Sequence, residues 1–145
     1  MWSTVSGPPP EEPTMATIHL ETELAVAPEQ LWSTVRDVGN IAGLLNILDA
    51  SSVDGDQRSC TLAGGGGLLA ETILAVDDDH CRVAYTITDS PLPIELHAAS
   101  MQVFDAGGGR STFRWITDVK PDALVDGLGP MLAGAVAGME EQYGT

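Results

Sequence analysis

Positive charge is scarce in this chain: six Lys and Arg stand against 21 Asp and Glu, a formal net charge of -15. Such a balance repels nucleic-acid phosphates and anionic lipid headgroups, so neither is an expected partner. Cysteine is almost absent too. Cys60 and Cys81 carry no metal-ligand spacing and fall in separate predicted strands, so each is expected as a buried free thiol in a reducing cytoplasm. No apolar run is long enough to span a bilayer, and the N-terminus has neither the basic start nor the apolar core of a secretory signal. A cytoplasmic location without stable membrane insertion follows as the expectation. Aromatic residues make up only 5% of the chain, which leaves few bulky groups to fill an interior. No Ser-His-Asp or Cys-His constellation is visible, and neither a metal nor a cofactor is expected.

What is present describes one globular domain. Hydrophobic residues are 43% of the sequence and charged residues 19%, enough apolar surface for a core at this length. Residues 1–14, with Ser6-Gly-Pro-Pro-Pro-Glu-Glu-Pro-Thr14, read as a disordered leader, and 15–145 as the domain. Met15 is then either the true start or the edge of a processed form.

Ile18, Leu20, Leu24 and Val26 alternate with His19, Glu21 and Glu23, the pattern of a half-buried strand over 17–26. Pro28 suits the first turn of a helix, whose stripe is Leu31, Trp32 and Val35 and whose end is near Gly39. A second short helix is predicted over 40–48, with Asn40 as its cap. Strands follow at 50–54, 58–63, 68–76, 80–88, 94–105 and 110–119. Their turns are predicted at Asp54-Gly55-Asp56, Asp77-Asp78-Asp79 and Ala106-Gly107-Gly108-Gly109. The final helical region spans 122–143, where Pro130 predicts a kink or a restart. Seven strands with two helices early and one late make an α+β fold.

Four motifs carry a resemblance to a known superfamily. They are Val26-Ala27-Pro28 with Leu31-Trp32; Ala70-Glu71-Thr72-Ile73 with Asp77-Asp78; Val83-Ala84-Tyr85-Thr86-Ile87 with Pro91-Leu92-Pro93; and Phe113-Arg114-Trp115 before the last helix. In order and spacing they resemble the START-like, or SRPBCC, proteins, and among these the bacterial polyketide cyclase/dehydratase-like group. The resemblance covers 16–143. It implies a helix-grip fold, in which a bent seven-stranded antiparallel sheet wraps around a long C-terminal helix, with two short helices between the first and second strands. It also implies a hydrophobic cavity, of roughly 300 Å³ or more where the glycines of the last helix leave room for a ligand.

Strand alternation turns that expectation into candidate lining residues. They are Arg58, Cys60 and Leu62; Glu71, Ile73 and Ala75; Val83, Tyr85 and Ile87; and Phe113, Trp115 and Thr117. On the sixth strand, alternation alone leaves a choice between Leu96-Ala98-Ser100 and His97-Ala99-Met101-Val103, and the resemblance favours the second set. On the last helix Gly127, Met131, Gly134, Ala135 and Gly138 fall at helical spacing, so they either pack closely on the sheet or leave room for a ligand. The loops Gly64–Gly67 and Asp89–Pro93 resemble in position the gate and latch of plant hormone receptors. They are either a lid or ordinary hairpin loops.

Glu71 and His97 are the candidate catalytic pair: a carboxylate on an apolar strand face, and an imidazole suited to proton transfer. Arg58 either pairs with Glu71 or meets an anionic ligand group, and Tyr85 is a candidate donor to a ligand carbonyl. The ligand-binding set is completed by Cys60, Leu62, Ile73, Val83, Ile87, Ala99, Met101, Phe113, Trp115, Met131, Gly134 and Gly138. Asp77-Asp78-Asp79-His80 reads as a solvated turn, because three consecutive acids cannot all face one ion. Two roles remain open. One is a cyclase or dehydratase acting on a polyketide-like carbonyl substrate; the other is a carrier or sensor of a lipid or hydrophobic metabolite, as monomer or homodimer.

Overall fold

An alternating strand needs a paired neighbour, and here every strand finds at least one in a single antiparallel sheet. A computed structural model describes residues 15–145; the predicted leader lies outside the described residues. The strands are β1 (Ala16–Leu24), β2 (Leu48–Asp54), β3 (Gln57–Leu62), β4 (Gly67–Asp77), β5 (Arg82–Asp89), β6 (Leu96–Gly107) and β7 (Arg110–Lys120). Their spatial order is β1-β7-β6-β5-β4-β3-β2, so five hairpins account for all neighbours except β1 beside β7. The helices are α1 (Pro28–Val35) and α2 (Val125–Tyr143), with a 3-10 segment at Val38–Gly43. This is the expected α+β helix-grip architecture.

Hairpin geometry follows the turn residues. Gly55 and the pair Gly108-Gly109 adopt positive φ, which suits the right-handed twist of the strands they join. The sheet buries one face against the two helices. Phe113, Trp115, Thr117 and Val119 alternate with half-exposed neighbours along β7, and on β6 the buried set is His97, Ala99, Met101 and Val103. The choice left open by alternation on that strand is thereby settled.

Leu31, Trp32 and Val35 on α1 pack over β6 and β7. α1 is also pinned from outside, by Trp32 Nε1–H donating to Asp78 Oδ1 at 3.0 Å and by Arg36 pairing with the same carboxylate at 2.9 Å. α2 lies along β1. There Ala25 N–H donates to the Gly144 carbonyl at 2.9 Å, and the Thr22 hydroxyl donates to Glu140 at 2.8 Å.

Three local expectations are corrected. The helix predicted over 40–48 is the shorter 3-10 segment Val38–Gly43, after which β2 already begins at Leu48. The strand predicted from residue 80 starts at Arg82, because Cys81 takes a positive φ of 50 in the turn. Pro130 neither ends nor restarts α2, which continues through it. It falls in the second turn, so its ring forfeits a single bond to the Asp126 carbonyl near the helix end. No described helix is long and apolar enough to cross a membrane.

Candidate functional site

The inner face of the sheet divides into two halves. Under α1 the side chains pack solidly: Val83, Met101, Val103 and Phe113 are at most 4% exposed. Towards the β3–β4 and β5–β6 loops the packing opens into an apolar chamber of about 50 Å³. Its walls come from β3 to β7, from α2, and from the segment leading into β2.

At its base, register places Arg58 on β3 directly opposite Glu71 on β4. Arg58 Nε–H donates to Glu71 Oε1 at 2.8 Å, and Cys60 donates its thiol proton to the same oxygen at 3.3 Å. Arg58 also donates to the Val38 carbonyl at 3.2 Å and stands 4.9 Å over the Tyr85 ring. A buried ion pair survives only with such further partners, since desolvation of both charges opposes their attraction. Glu71 Oε2 takes no hydrogen bond among the described residues.

Tyr85, Trp115 and His97 form the second polar group. Trp115 Nε1–H donates to the Tyr85 hydroxyl at 3.0 Å, and Ile87 N–H donates to His97 Nδ1 at 3.0 Å. Burial, opposed by the Asp118 carboxylate, lowers the His97 pKa to about 4, so the ring is neutral at ordinary pH. Burial, reinforced by Glu71, pushes the Cys60 thiol up to about 12 and raises the Tyr85 phenol as well. Neither is an ionised nucleophile near neutrality.

Of the candidate site residues, Arg58, Cys60, Leu62, Glu71, Tyr85, Ile87, His97, Trp115 and Met131 line this chamber. Ile73, Val83, Ala99, Met101 and Phe113 share the inward face but lie in the packed half or its margin. Gly134 and Gly138 do not face inward, nor does Gly127, which is exposed. The buried stripe of α2 is instead Leu128, Leu132, Ala135, Val136 and Met139, a rotation away from the glycine row.

That rotation also corrects the expected cavity size. Leu128, Met131 and Leu132 fill the space that a glycine face would have left, and about 50 Å³ accommodates a few waters, not a cofactor-sized molecule. Outside the chamber, an apolar groove of about 480 Å³ runs between Ala63–Gly66 and Pro130–Gly134. Ile47, Leu62 and Met131 line both spaces.

Sequence reasoning missed Ile41, Leu45, Ile47 and Leu48, together with Leu69, Leu128 and Leu132. The apolar run Leu44-Leu45-Asn46-Ile47-Leu48 was the available signal. The two predicted loops do meet: a Cβ on Gly67, whose φ is +104, would come within 2.8 Å of the Pro91 ring. In the acidic turn, Asp77 accepts from His80 Nδ1 at 2.7 Å while Asp78 holds Trp32 and Arg36, so the turn anchors α1 as well as meeting solvent.

The sequence matches the family model described as polyketide cyclase / dehydrase and lipid transport over residues 15–143. No curated protein is a significant match. Among solved structures, an uncharacterized protein from Bacillus thuringiensis superposes with a TM-score of 0.80 at 16% identity, covering 88% of this chain and 98% of that one. A START superfamily protein from Mycobacterium smegmatis gives 0.67 at 15% identity, covering 87% and 97%. Norcoclaurine synthase from Thalictrum flavum, solved with dopamine and hydroxybenzaldehyde, gives 0.64 at 18% identity, covering 90% and 89%.

Proposed function

The chain belongs to the polyketide cyclase / dehydrase and lipid transport family, of START-like fold, and from that footing we propose that it binds a hydrophobic small molecule beneath α2. Its chemistry there is the folding or dehydration of a polyketide-like carbonyl substrate, with Glu71 as the proton acceptor. The observation that carries this is the asymmetry of the Glu71 carboxylate. Oε1 is held by Arg58 and Cys60, which fixes the group in place, while Oε2 has no protein partner among the described residues. A carboxylate immobilised through one oxygen with the other free, in an apolar chamber, is a pre-oriented base. The hydroxybenzaldehyde solved with norcoclaurine synthase, a protein of similar fold, is likewise a carbonyl compound.

The chamber, at about 50 Å³, is smaller than such a substrate. Ile47, Leu62 and Met131 form the wall between it and the outer groove, and displacing those three side chains merges the two spaces. Binding then needs no rearrangement of the sheet.

Carrier or sensor function is the second reading, favoured by the Arg58 pair itself: a carboxylate already bonded to a buried guanidinium at 2.8 Å has a structural role without any turnover. One substitution separates the two. Native mass spectrometry of protein purified from its source identifies a co-purifying molecule, and that molecule or its precursor is then offered to Glu71→Gln. For an enzyme, affinity stays within a few-fold while turnover falls by about 10²–10⁴. A carrier yields no product even from the unaltered protein, and only its affinity responds.

A further inference from the structure

Backbone pairing between β5 and β6 runs from Arg82↔Gln102 to Tyr85↔Ala99 and stops at the edge of the chamber. Beyond it, side chains of the two strands take over. Ile87 N–H donates to His97 Nδ1 at 3.0 Å, and the Thr86 hydroxyl donates to the His97 carbonyl at 2.5 Å. A backbone N–H can only donate, so Nδ1 is the acceptor and the neutral ring carries its proton on Nε2. No described group accepts from Nε2. No fully buried side-chain nitrogen or oxygen lacks a partner among the described residues, so Nε2 keeps access to open space.

Tyr85 reaches the same condition by another route. An indole N–H is also a donor only, so the bond from Trp115 uses a lone pair of the phenol and leaves the hydroxyl proton to point elsewhere. No described acceptor receives it. The Tyr85 and His97 rings lie 5.7 Å apart between centroids, tilted by 43°, and both line the chamber. Of the other polar groups there, Arg58, Glu71 and Cys60 already bond to one another, the Arg58–Glu71 pair carries no net charge, and Thr117 adds one neutral hydroxyl.

We propose that Tyr85 and His97 form a two-donor site for one uncharged carbonyl oxygen, a ketone or aldehyde group on the hydrophobic ligand. The inference rests on the reading that the chamber takes such a ligand at all. A carbonyl oxygen has two in-plane lone pairs and accepts both donors together. A hydrocarbon leaves both unmatched. A carboxylate brings in a charge that Arg58, already neutralised by Glu71, is not free to balance. His97 is therefore a fixed donor that positions and polarises the carbonyl, and proton removal falls to Glu71 alone.

The test compares two probes of nearly the same shape, cyclohexanone and methylenecyclohexane, titrated into the full chain at pH 7.5 and followed by protein NMR. The ketone is expected to bind about tenfold more tightly, as one to two net hydrogen bonds require. Its carbonyl stretch should shift to lower frequency on binding. His97→Asn retains an oxygen near the place of Nδ1 to accept from Ile87 but has no donor where Nε2 stood. That variant should lose most of the ketone's advantage and bind the hydrocarbon as before. Tyr85→Phe should behave alike; if it fails to fold, His97→Asn and the stretching frequency decide. Equal binding of the two probes, or a ketone advantage that survives His97→Asn, overturns the donor site and leaves the hydrophobic-ligand reading standing. If neither probe binds, that reading fails and takes this inference with it.

Discussion

At the scale of single residues, the interior is set by a few polar groups that cannot ionise freely. His97 gives the most direct test. Its folded pKa of about 4 lies below the ordinary value of 6.5, so the folded state resists protonation that the unfolded chain accepts. The stability linked to this group is therefore complete above pH 6.5 and is lost as pH falls towards 4. Between pH 7 and pH 5 the loss should be about 2 kcal/mol. Urea unfolding of the native chain and of His97→Asn, at both pH values, isolates the effect from the many exposed carboxylates. The native chain should lose about 2 kcal/mol more than the variant over that interval, and parallel losses would refute the assignment. Alternation disclosed the inward phase of Arg58 and of Glu71 on their strands, whereas for His97 it left two phases open and only the family resemblance favoured the inward one. The sequence did not disclose the tautomer of His97, which depends on where backbone pairing between β5 and β6 stops. Nor did it disclose the anchoring role of Asp78, whose partners Trp32 and Arg36 lie 46 and 42 residues away in sequence.

At the scale of elements, strands were more legible than helices for a physical reason. A strand with one buried face has only two phases, so an error shows at once, whereas a helix can be rotated by small steps. On α2 the spacing of the glycines predicts a lining, yet the residues at i, i+4, i+7, i+8 and i+11 from Leu128 form the buried stripe. The glycines consequently have different meanings. At Gly134 a methyl group would meet nothing within 4 Å, and the position is exposed. Gly134→Ala should therefore stabilise the protein by up to about 1 kcal/mol through helix propensity alone. At Gly138 a Cβ would stand 2.4 Å from Asn46 Nδ2 and 2.8 Å from its Cγ, so the loop entering β2 rests against the bare helix backbone. Gly138→Ala should gain less than Gly134→Ala or lose stability outright, and Asn46→Ala in the same chain should restore the difference. Thermal unfolding of the three variants decides the matter; equal gains at both glycines would show that Asn46 is not held there.

At the scale of the whole molecule, the fold keeps two spaces apart with a thin wall. The chamber of about 50 Å³ contains the polar groups, and the groove of about 480 Å³ contains none of them. Sheet and α2 are fixed elsewhere, by hairpin pairing on one side and by the bonds from Ala25 and Thr22 to the end of α2 on the other. Opening is thus concentrated where three apolar side chains from different elements meet. Ile47 precedes β2, Leu62 closes β3 and Met131 sits on α2. Met131 is the most easily moved, because it is unbranched and only partly buried. Shortening it removes the wall from the helix side without touching a hydrogen bond. Met131→Ala should therefore speed the uptake of a neutral apolar fluorophore such as N-phenyl-1-naphthylamine by about tenfold. That corresponds to removing roughly 1.4 kcal/mol of barrier. Met131→Trp should slow it, since a larger ring spans the junction. A neutral probe matters, because a net charge of -15 would repel an anionic dye and mask the effect. Stopped-flow fluorescence at fixed ionic strength reads both variants. If neither changes the uptake rate, the groove is not the route inward, and ligands must pass instead between Gly67 and Pro91, where the two loops already touch.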